Sequence, residues 1–253
     1  MAGRIGSGKN IRKRMASDVK HTDIPMEKES ISVIYEDASI IAINKPPRMA
    51  SVPSRDFPLH KTVLGRVQQR YAPMKVKPYI LHRLDYDTSG ILLFGKEQKN
   101  RRPLENIFRD RRTEKIYAAL VKGIPHGTSI SSRLRARHSD RWIPAHTRFH
   151  IEKTFPVDGS TCSLVETTIA TGRKHQIRQH FAKMRCPIVM DRTYGNSPFN
   201  RSFRKAFGLN RQFLHAHHIS FFHPLLEKTV RITAPFPEDL AQTLQKLQEC
   251  DAM

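Results

Sequence analysis

The sequence predicts a mixed α and β fold in which strands and helices interleave around one core. Three observations carry this. At 253 residues the chain has room for one good core, and nothing in it demands two. Stretches with a period of two, such as Cys162 to Ile169, mark half-buried strands, and the apolar run from Ile91 to Phe94, closed by Gly95-Lys96, reads as a short buried strand. Between them, apolar residues three, four and seven apart mark amphipathic helices. There is no internal repeat.

Charge narrows the choice of partner. Lys and Arg number 44 against 23 Asp and Glu, a formal net charge of +21. Such an excess says little about fold but points to a polyanion, most simply RNA or DNA. Cys162, Cys186 and Cys250 are widely spaced with no C-x-x-C pair, which argues against a disulfide framework and fits a reducing cytosol. No apolar run is long enough to span a bilayer, and the N-terminus has no apolar h-region. A soluble, cytoplasmic protein is expected.

The chain opens with a stretch poor in apolar residues. In its first part Arg4, Lys9, Arg12, Lys13, Arg14 and Lys20 stand against Asp18 alone. Residues 1–29 are therefore expected to be a flexible basic arm adding phosphate contacts, ahead of a domain over residues 30–253. A mitochondrial presequence, also basic and poor in acids, is the rival reading.

Within the domain, Ile31, Val33 and Tyr35 alternate, Glu36-Asp37 turns the chain, and Ile40 to Ile43 forms a buried strand. Asn44-Lys45-Pro46-Pro47 ends it, because proline cannot continue a ladder. Roughly Lys61 to Arg70 is an amphipathic helix, with Leu64, Val67 and Tyr71 inward and Arg66 and Arg70 outward. A short helix from Pro103, tolerated in a first turn, faces Leu104, Ile107 and Phe108 to the core. The run Arg109 to Arg112 suits a solvated face as well as an RNA contact.

Glu114 to Val121 is a strand with Lys115, Tyr117, Ala119 and Val121 on one face; by itself, Tyr117 there is most simply a core aromatic. Gly123 to Pro144 is expected to be an exposed basic loop carrying Arg133, Arg135, Arg137, His138 and Arg141, with Trp142 as a core anchor. Ala145, Thr147, Phe149 and Ile151 alternate as a strand. Thr171-Gly172 is a turn, and Arg173-Lys174-His175-Gln176 opens a helix with Ile177, Phe181 and Met184 inward. A helix N-terminus beside cations is a natural phosphate site. A strand over Val230 to Ile232 and a helix with Leu240, Leu244 and Leu247 inward close the domain.

The chemistry gathers in Leu81 to Gly90, a polar loop with two carboxylates and an arginine directly before a buried strand. Rigid scaffolds present catalytic side chains on such loops, although Asp87 or Ser89 could equally do no more than shape a turn. His215, His217, His218 and His223 invite a zinc reading, but no cysteine pair or nearby acid completes a ligand set.

His82-Arg83-Leu84-Asp85 followed by Thr88-Ser89-Gly90 resembles the catalytic signature of the RluA family of pseudouridine synthases. Other stretches follow the same order. Asn44-Lys45-Pro46 is similar to the family's first motif, with Pro47-Arg48 where a small residue and glycine are usual. Ser51-Val52-Pro53 is also similar. Lys115-x-Tyr117 resembles the second motif, and Thr171-Gly172-Arg173-x-His175-Gln176-Ile177-Arg178 the third. Pro187 to Asp191 and Tyr194-Gly195 continue the likeness, with Met190 where glycine is usual, and Phe213 to Ala216 and Phe221 to Pro224 extend it. The resemblance covers roughly Ile31 to Pro235.

It implies an α+β fold: a single catalytic domain with a central, largely antiparallel mixed sheet flanked by helices and an RNA cleft across it. It also implies Asp85 as the catalytic aspartate, Arg178 as its buried partner, Tyr117 against a flipped base, and Arg83 filling the vacated stack. Arg173, Lys174 and His175, with Arg201, Arg204 and Lys205 in the long stretch from Asp191 to Ala216, are expected to contact RNA. His82 and Asp87 are expected to shape the loop. Arg211, in the same long stretch, is expected to add a backbone contact. Isomerising uridine breaks the N-glycosidic bond, turns the base and joins C5 to C1′, with no redox change. No cofactor and no metal are therefore expected.

A monomer acting on structured RNA is expected. Thr-Gly-Arg-Lys-His-Gln and the long stretch resemble the TruC-like branch that modifies transfer RNA, whereas Ser51-Val52-Pro53 is closer to the branch acting on a large-subunit ribosomal RNA hairpin and sometimes on transfer RNA; transfer RNA is expected ahead of ribosomal RNA. The competing class is a non-catalytic RNA-binding protein on the same scaffold, such as a ribosome-assembly factor. Joint retention of Asp85, Tyr117 and Arg178 separates the two, since binding alone needs only a basic surface. A DNA-binding regulator fits the charge but lacks a helix-turn-helix or zinc pattern.

Overall fold

The computed structural model describes residues 31–135 and 140–251; the expected basic arm, Arg137 and His138 lie outside them. Strands β1 (Ser32–Glu36) and β2 (Ile40–Lys45) form a hairpin whose turn is closed by Asp37, which accepts from the Ser39 and Ile40 N–H groups. Helix α1 (Val63–Tyr71) is capped by Thr62, whose Oγ1 accepts from Gly65 N at 3.2 Å. It buries Val63, Val67 and Tyr71, with Leu64 packing at the margin. Strand β3 (Tyr79–Ile80) leads into the Asp85 loop, and β4 (Ser89–Gly95) leaves it. Helix α2 (Arg101–Asn106) starts two residues before Pro103, which still falls in the first turn, where a missing N–H costs no helical bond.

Strand β5 (Glu114–Lys122) carries Tyr117. The expected basic loop is instead a hairpin: β6 (Ser129–Arg135) pairs with β7 (Trp142–Val157), a strand of 16 residues. The arginines hid this from the sequence reading because they occupy only its outer face, while Leu134, Ala145, Thr147 and Phe149 point inward. Trp142 is not a core anchor; it is 56% exposed. Ile151 is exposed too, at a bulge between Ile151 and Lys153.

Strand β8 (Ser160–Ile169) follows, then α3 (Gln176–Lys183) and α4 (Ser197–Phe207). The sequence reading missed α4 although its signals are present. Asn196 caps it by accepting from Phe199 N, Gly208 ends it at φ 77°, and Asn200, Phe203 and Phe207 form its buried stripe. Strands β9 (Leu214–His223) and β10 (Lys228–Thr233) and helix α5 (Glu238–Asp251) complete the order.

All ten strands join one sheet in the order β1-β2-β4-β9-β5-β8-β7-β6, with β10 beside β9 and β3 beside β4. Among the strands of the described residues, only β4 and β9 pair in parallel. The fold is thus α+β around a largely antiparallel mixed sheet. Alternate residues of the central strands enter different cores: Ile41, Ile43, Leu92 and Phe94 pack toward α1, whereas Ile40, Ala42, Ile91 and Leu93 pack toward α2. Burial on both faces makes these strands read as continuous apolar runs. On β5, Ala119 and Val121 join Ile177 and Phe181 of α3, with Tyr117 at the margin of that cluster.

Among the described residues no helix is long and apolar enough to cross a membrane.

Candidate active site

The parallel pair β4–β9 fixes where the Asp85 loop ends. Gly90 faces Ala216 across this pair at φ 112°, and a Cβ on Gly90 would lie 2.3 Å from the Ala216 carbonyl oxygen. Only glycine fits so close an approach. Ser89 Oγ sits 2.9 Å from His215 Nδ1, whose Nε2 in turn faces the Ala234 carbonyl.

The loop itself is clamped from beneath. Lys45, fully buried at the end of β2, donates to the carbonyls of Pro46, Tyr86 and Thr88 at 2.7, 3.1 and 2.8 Å. Burial, aided by the Arg211 charge and opposed by Asp87 and Asp85, pushes its ammonium down to about 7. Ser51 Oγ donates to Leu84 O and accepts from Leu84 N. Gln212 donates to Thr88 Oγ1, and His82 Nε2 accepts from Leu93 N, the loop-shaping part expected of it.

Arg211 is not an RNA contact. It is 1% exposed, held bidentate by Asp239 at 2.6 and 2.8 Å, and it donates to the Asp87 carbonyl. Arg48 and Met190, which stand where glycine is usual, both adopt the left-handed region, at φ 57° and 63°, a conformation glycine takes at least cost; nothing in the structure explains the larger side chains there.

Asp85 is half-buried, between two side chains of the α3 region. Its Oδ2 lies 3.3 Å from Arg178 Nη1, and its Oδ1 lies 3.7 Å from His175 Nε2. Arg178, however, is paired chiefly with Asp191: its Nε and Nη2 donate at 2.7 and 2.9 Å, and Nη2 also reaches Thr193 Oγ1. Burial alone would raise the Asp191 carboxyl, but the Arg178 bonds and charge and the Tyr194 and Thr193 N–H groups outweigh it and hold it below the usual carboxylate range. The loop bearing Asp191 is fixed by Asn200, which accepts from Met190 N and donates to Asp191 O. Gly195 passes so close that a Cβ there would meet the Asp191 carbonyl at 2.0 Å.

His175 precedes α3 in the left-handed region, at φ 53°. Its Nδ1 is 3.1 Å from the Tyr194 hydroxyl. Burial lowers its pKa, opposed by Asp85 and aided by Arg178 and Lys174. Gln176 closes the first turn, accepting from Thr171 Oγ1 and Arg173 N while donating to His146 O and Thr147 Oγ1.

Asp85, Tyr117, Arg178, Arg83, Arg173 and His175 line one open cleft of about 440 Å³ with Leu84, Ile177 and Leu214. Burial and the Asp85 charge push the Tyr117 phenol well above its ordinary value, so it stays protonated. Lys174 is exposed next to the cleft but does not line it. Arg201, Arg204 and Lys205 are exposed on α4, outside it. A larger hollow of about 610 Å³ on β7 and β8, lined by His146, Arg148 and His150, shares no residue with this cleft and holds no carboxylate.

The grouped histidines do not converge on a metal. His215 is engaged as described, and His223 faces Ser39 Oγ and Asp37 while accepting from the Leu225 and Leu226 N–H groups. The metal-capable group among the described residues is His150, Glu152 and Glu166 on the sheet surface, the first two exposed and Glu166 half-buried.

The sequence model of the RNA pseudouridylate synthases matches residues 39–183, the segment that runs from β2 through the Asp85 loop to α3. The chain belongs to this family, within its RluA branch, and isomerises uridine to pseudouridine in RNA. It is 34% identical to ribosomal large subunit pseudouridine synthase C of Vibrio cholerae, over 86% of this chain and 69% of that protein. It is 32% identical to ribosomal large subunit pseudouridine synthase D of Xylella fastidiosa, over 94% of this chain and 74% of that protein. Among solved structures, human RNA pseudouridylate synthase domain containing 1 superposes with a TM-score of 0.67 at 22% identity, over 90% of this chain and 89% of that one, a likeness of fold.

Proposed function

We propose that the chain modifies one or a few uridines in a structured RNA, with the target base flipped out of its stack and Asp85 as the catalytic carboxylate. The observation that carries this reading is the Asp85 carboxylate, open to the cleft yet 3.3 Å from a buried arginine and 3.7 Å from His175. Such a group can approach C1′ or take the C2′ proton, and it can do so only if the uridine leaves the helix. Tyr117 packs against the flipped base and offers its hydroxyl as a donor. Arg178 orients Asp85 through its Nη1. Arg83 fills the vacated stack. Arg173, Lys174 and His175 at the cleft, with Arg201, Arg204 and Lys205 on α4, hold the backbone.

In this reading residues 30–253 are the catalytic domain, residues 1–29 add phosphate contacts, and the protein works as a cytoplasmic monomer without a cofactor. Two substrates have support. The Thr-Gly-Arg-Lys-His-Gln motif and the long stretch bearing α4 favour transfer RNA. The relatives from Vibrio cholerae and Xylella fastidiosa, named for the large ribosomal subunit, favour ribosomal RNA. Both offer compact stem-loops with splayed bases, which a chain reading RNA by shape requires. Purified enzyme should be given unmodified transcripts of transfer RNAs and of large-subunit ribosomal RNA, with pseudouridine mapped at single-nucleotide resolution. Modification at defined positions supports the reading. Indiscriminate modification, or none, contradicts it.

A further inference from the structure

Next to Asp85, and outside the residues that line its cleft, stands an aromatic pair with no part in the chemistry above. Tyr86 stacks on Phe57, with ring centroids 5.2 Å apart and planes inclined by 29°. Tyr86 is among the few large apolar side chains left exposed, at 37%. Stacked rings at a protein surface are common, but this pair is held rigidly from both sides. The Tyr86 carbonyl accepts from Lys45 Nζ at 3.1 Å and from Met49 N at 3.3 Å. Phe57 sits in a turn closed by reciprocal bonds between the backbones of Ser54 and Phe57. Arg48 and Arg192 both act on the Tyr86 hydroxyl, as does Asp87, whose effect is larger than that of either arginine.

We propose that Tyr86, backed by Phe57, is a stacking platform for a nucleobase next to the target uridine in the RNA substrate, with Arg48 and Arg192 facing the adjoining phosphates. The inference rests on the reading that Asp85 receives the target uridine. From there the neighbouring nucleotide of a splayed strand falls within reach of the next residue in the loop. A rigid aromatic plane flanked by cations is how proteins hold single-stranded nucleic acid without reading its sequence. Burial and Asp87 raise the Tyr86 phenol above its ordinary value, which keeps the ring uncharged for stacking.

The test uses the full chain and a synthetic stem-loop covering a uridine that it modifies in the transcripts above. Tyr86→Ala should raise KM roughly 5- to 150-fold, the range for one stacked base, and leave kcat nearly unchanged; Tyr86→Phe should resemble the parent. The same stem-loop is then made abasic immediately 5′ or 3′ of the target. At one of these positions the abasic RNA should raise KM for the parent enzyme and add little to Tyr86→Ala. A KM that Tyr86→Ala leaves unmoved, or penalties that simply add at both positions, would overturn the platform. If Tyr86→Ala lowers Tm, Tyr86→Leu replaces it, since leucine still packs on Phe57 without offering a plane; unchanged KM there overturns the proposal equally. Asp85→Asn separates the two readings. If it retains turnover, the placement of the uridine is wrong. If it is inactive while Tyr86→Ala is neutral, only the platform fails.

Discussion

Arg178 gives its bidentate pair to Asp191, at 2.7 and 2.9 Å, and only its remaining Nη1, at 3.3 Å, to Asp85. Asp191 is 1% exposed and cannot be left without a cation cheaply. The arginine is therefore anchored by one carboxylate and presented to the other. Arg178→Met should strand the buried Asp191 and cost on the order of 3–5 kcal/mol of stability. Asp191→Asn should recover much of that loss, and Asp85→Asn little of it, in urea unfolding of the double variants. Recovery by Asp85→Asn alone would mean that the roles of the two carboxylates are reversed.

On the proposed reading, Tyr117→Phe keeps the ring against the base and removes a hydroxyl that burial and Asp85 keep protonated. kcat should fall roughly 10²- to 10⁴-fold, the usual contribution of a positioned group that takes part in proton transfer. KM should move far less. Single-turnover kinetics at saturating RNA would measure this, and equal rates would reduce Tyr117 to packing.

Acid should unfold the protein early. His215 and His180 are fully buried, and burial chiefly pushes both down to about 4. The unfolded chain, with histidines near 6.5, therefore binds more protons between these values, and stability falls as pH drops through that window. The loss should be about 2 kcal/mol for each residue between pH 7 and pH 4.5. Asp191 and Glu36, held below the usual carboxylate range, add to the decline at lower pH. Urea midpoints at pH 7 and pH 4.5 should differ clearly, and His215→Gln should narrow the gap. A midpoint that rises on acidification would contradict these placements.

Much of the site was legible before the structure because its chemistry is local in the chain. Asp85 lies in a polar loop directly before a buried strand, and Arg178 lies in the first turn of a helix that follows Thr171-Gly172. Their meeting was implied only by family resemblance. Asp191 as the main partner of Arg178 was not legible, since an acid 13 residues along the chain carries no periodic signal. Arg211 misled for the opposite reason: its charge suggested solvent, but Asp239, distant in sequence, neutralises it in the core. Trp142 misled through its size, because a lone tryptophan on a hairpin stays exposed when the inward face is filled by Leu134 and Ala145. Helix α4 was legible from Asn196, Gly208 and the spacing of Phe203 and Phe207, and it was missed because its arginines drew attention to charge rather than to period.

The outer basic face of α4 should matter for affinity rather than chemistry. Arg201, Arg204 and Lys205 are exposed and lie outside the cleft. Replacing all three with alanine should weaken RNA binding and flatten its dependence on log salt by up to about 2, at roughly 0.7 per phosphate contact on single strands. The kcat at saturating RNA should hold. An unchanged slope would remove α4 from the RNA interface.

The central claim is that the Asp85 carboxylate performs the reaction. Asp85→Asn keeps the side chain's shape and most of its hydrogen bonding but leaves neither nucleophile nor base. Pseudouridine formed by this variant, measured by mass spectrometry on the RNA that the parent enzyme modifies, is the most direct test. The account predicts no product above background, with Tm and RNA affinity close to those of the parent. Substantial pseudouridine from Asp85→Asn at the same position would contradict it.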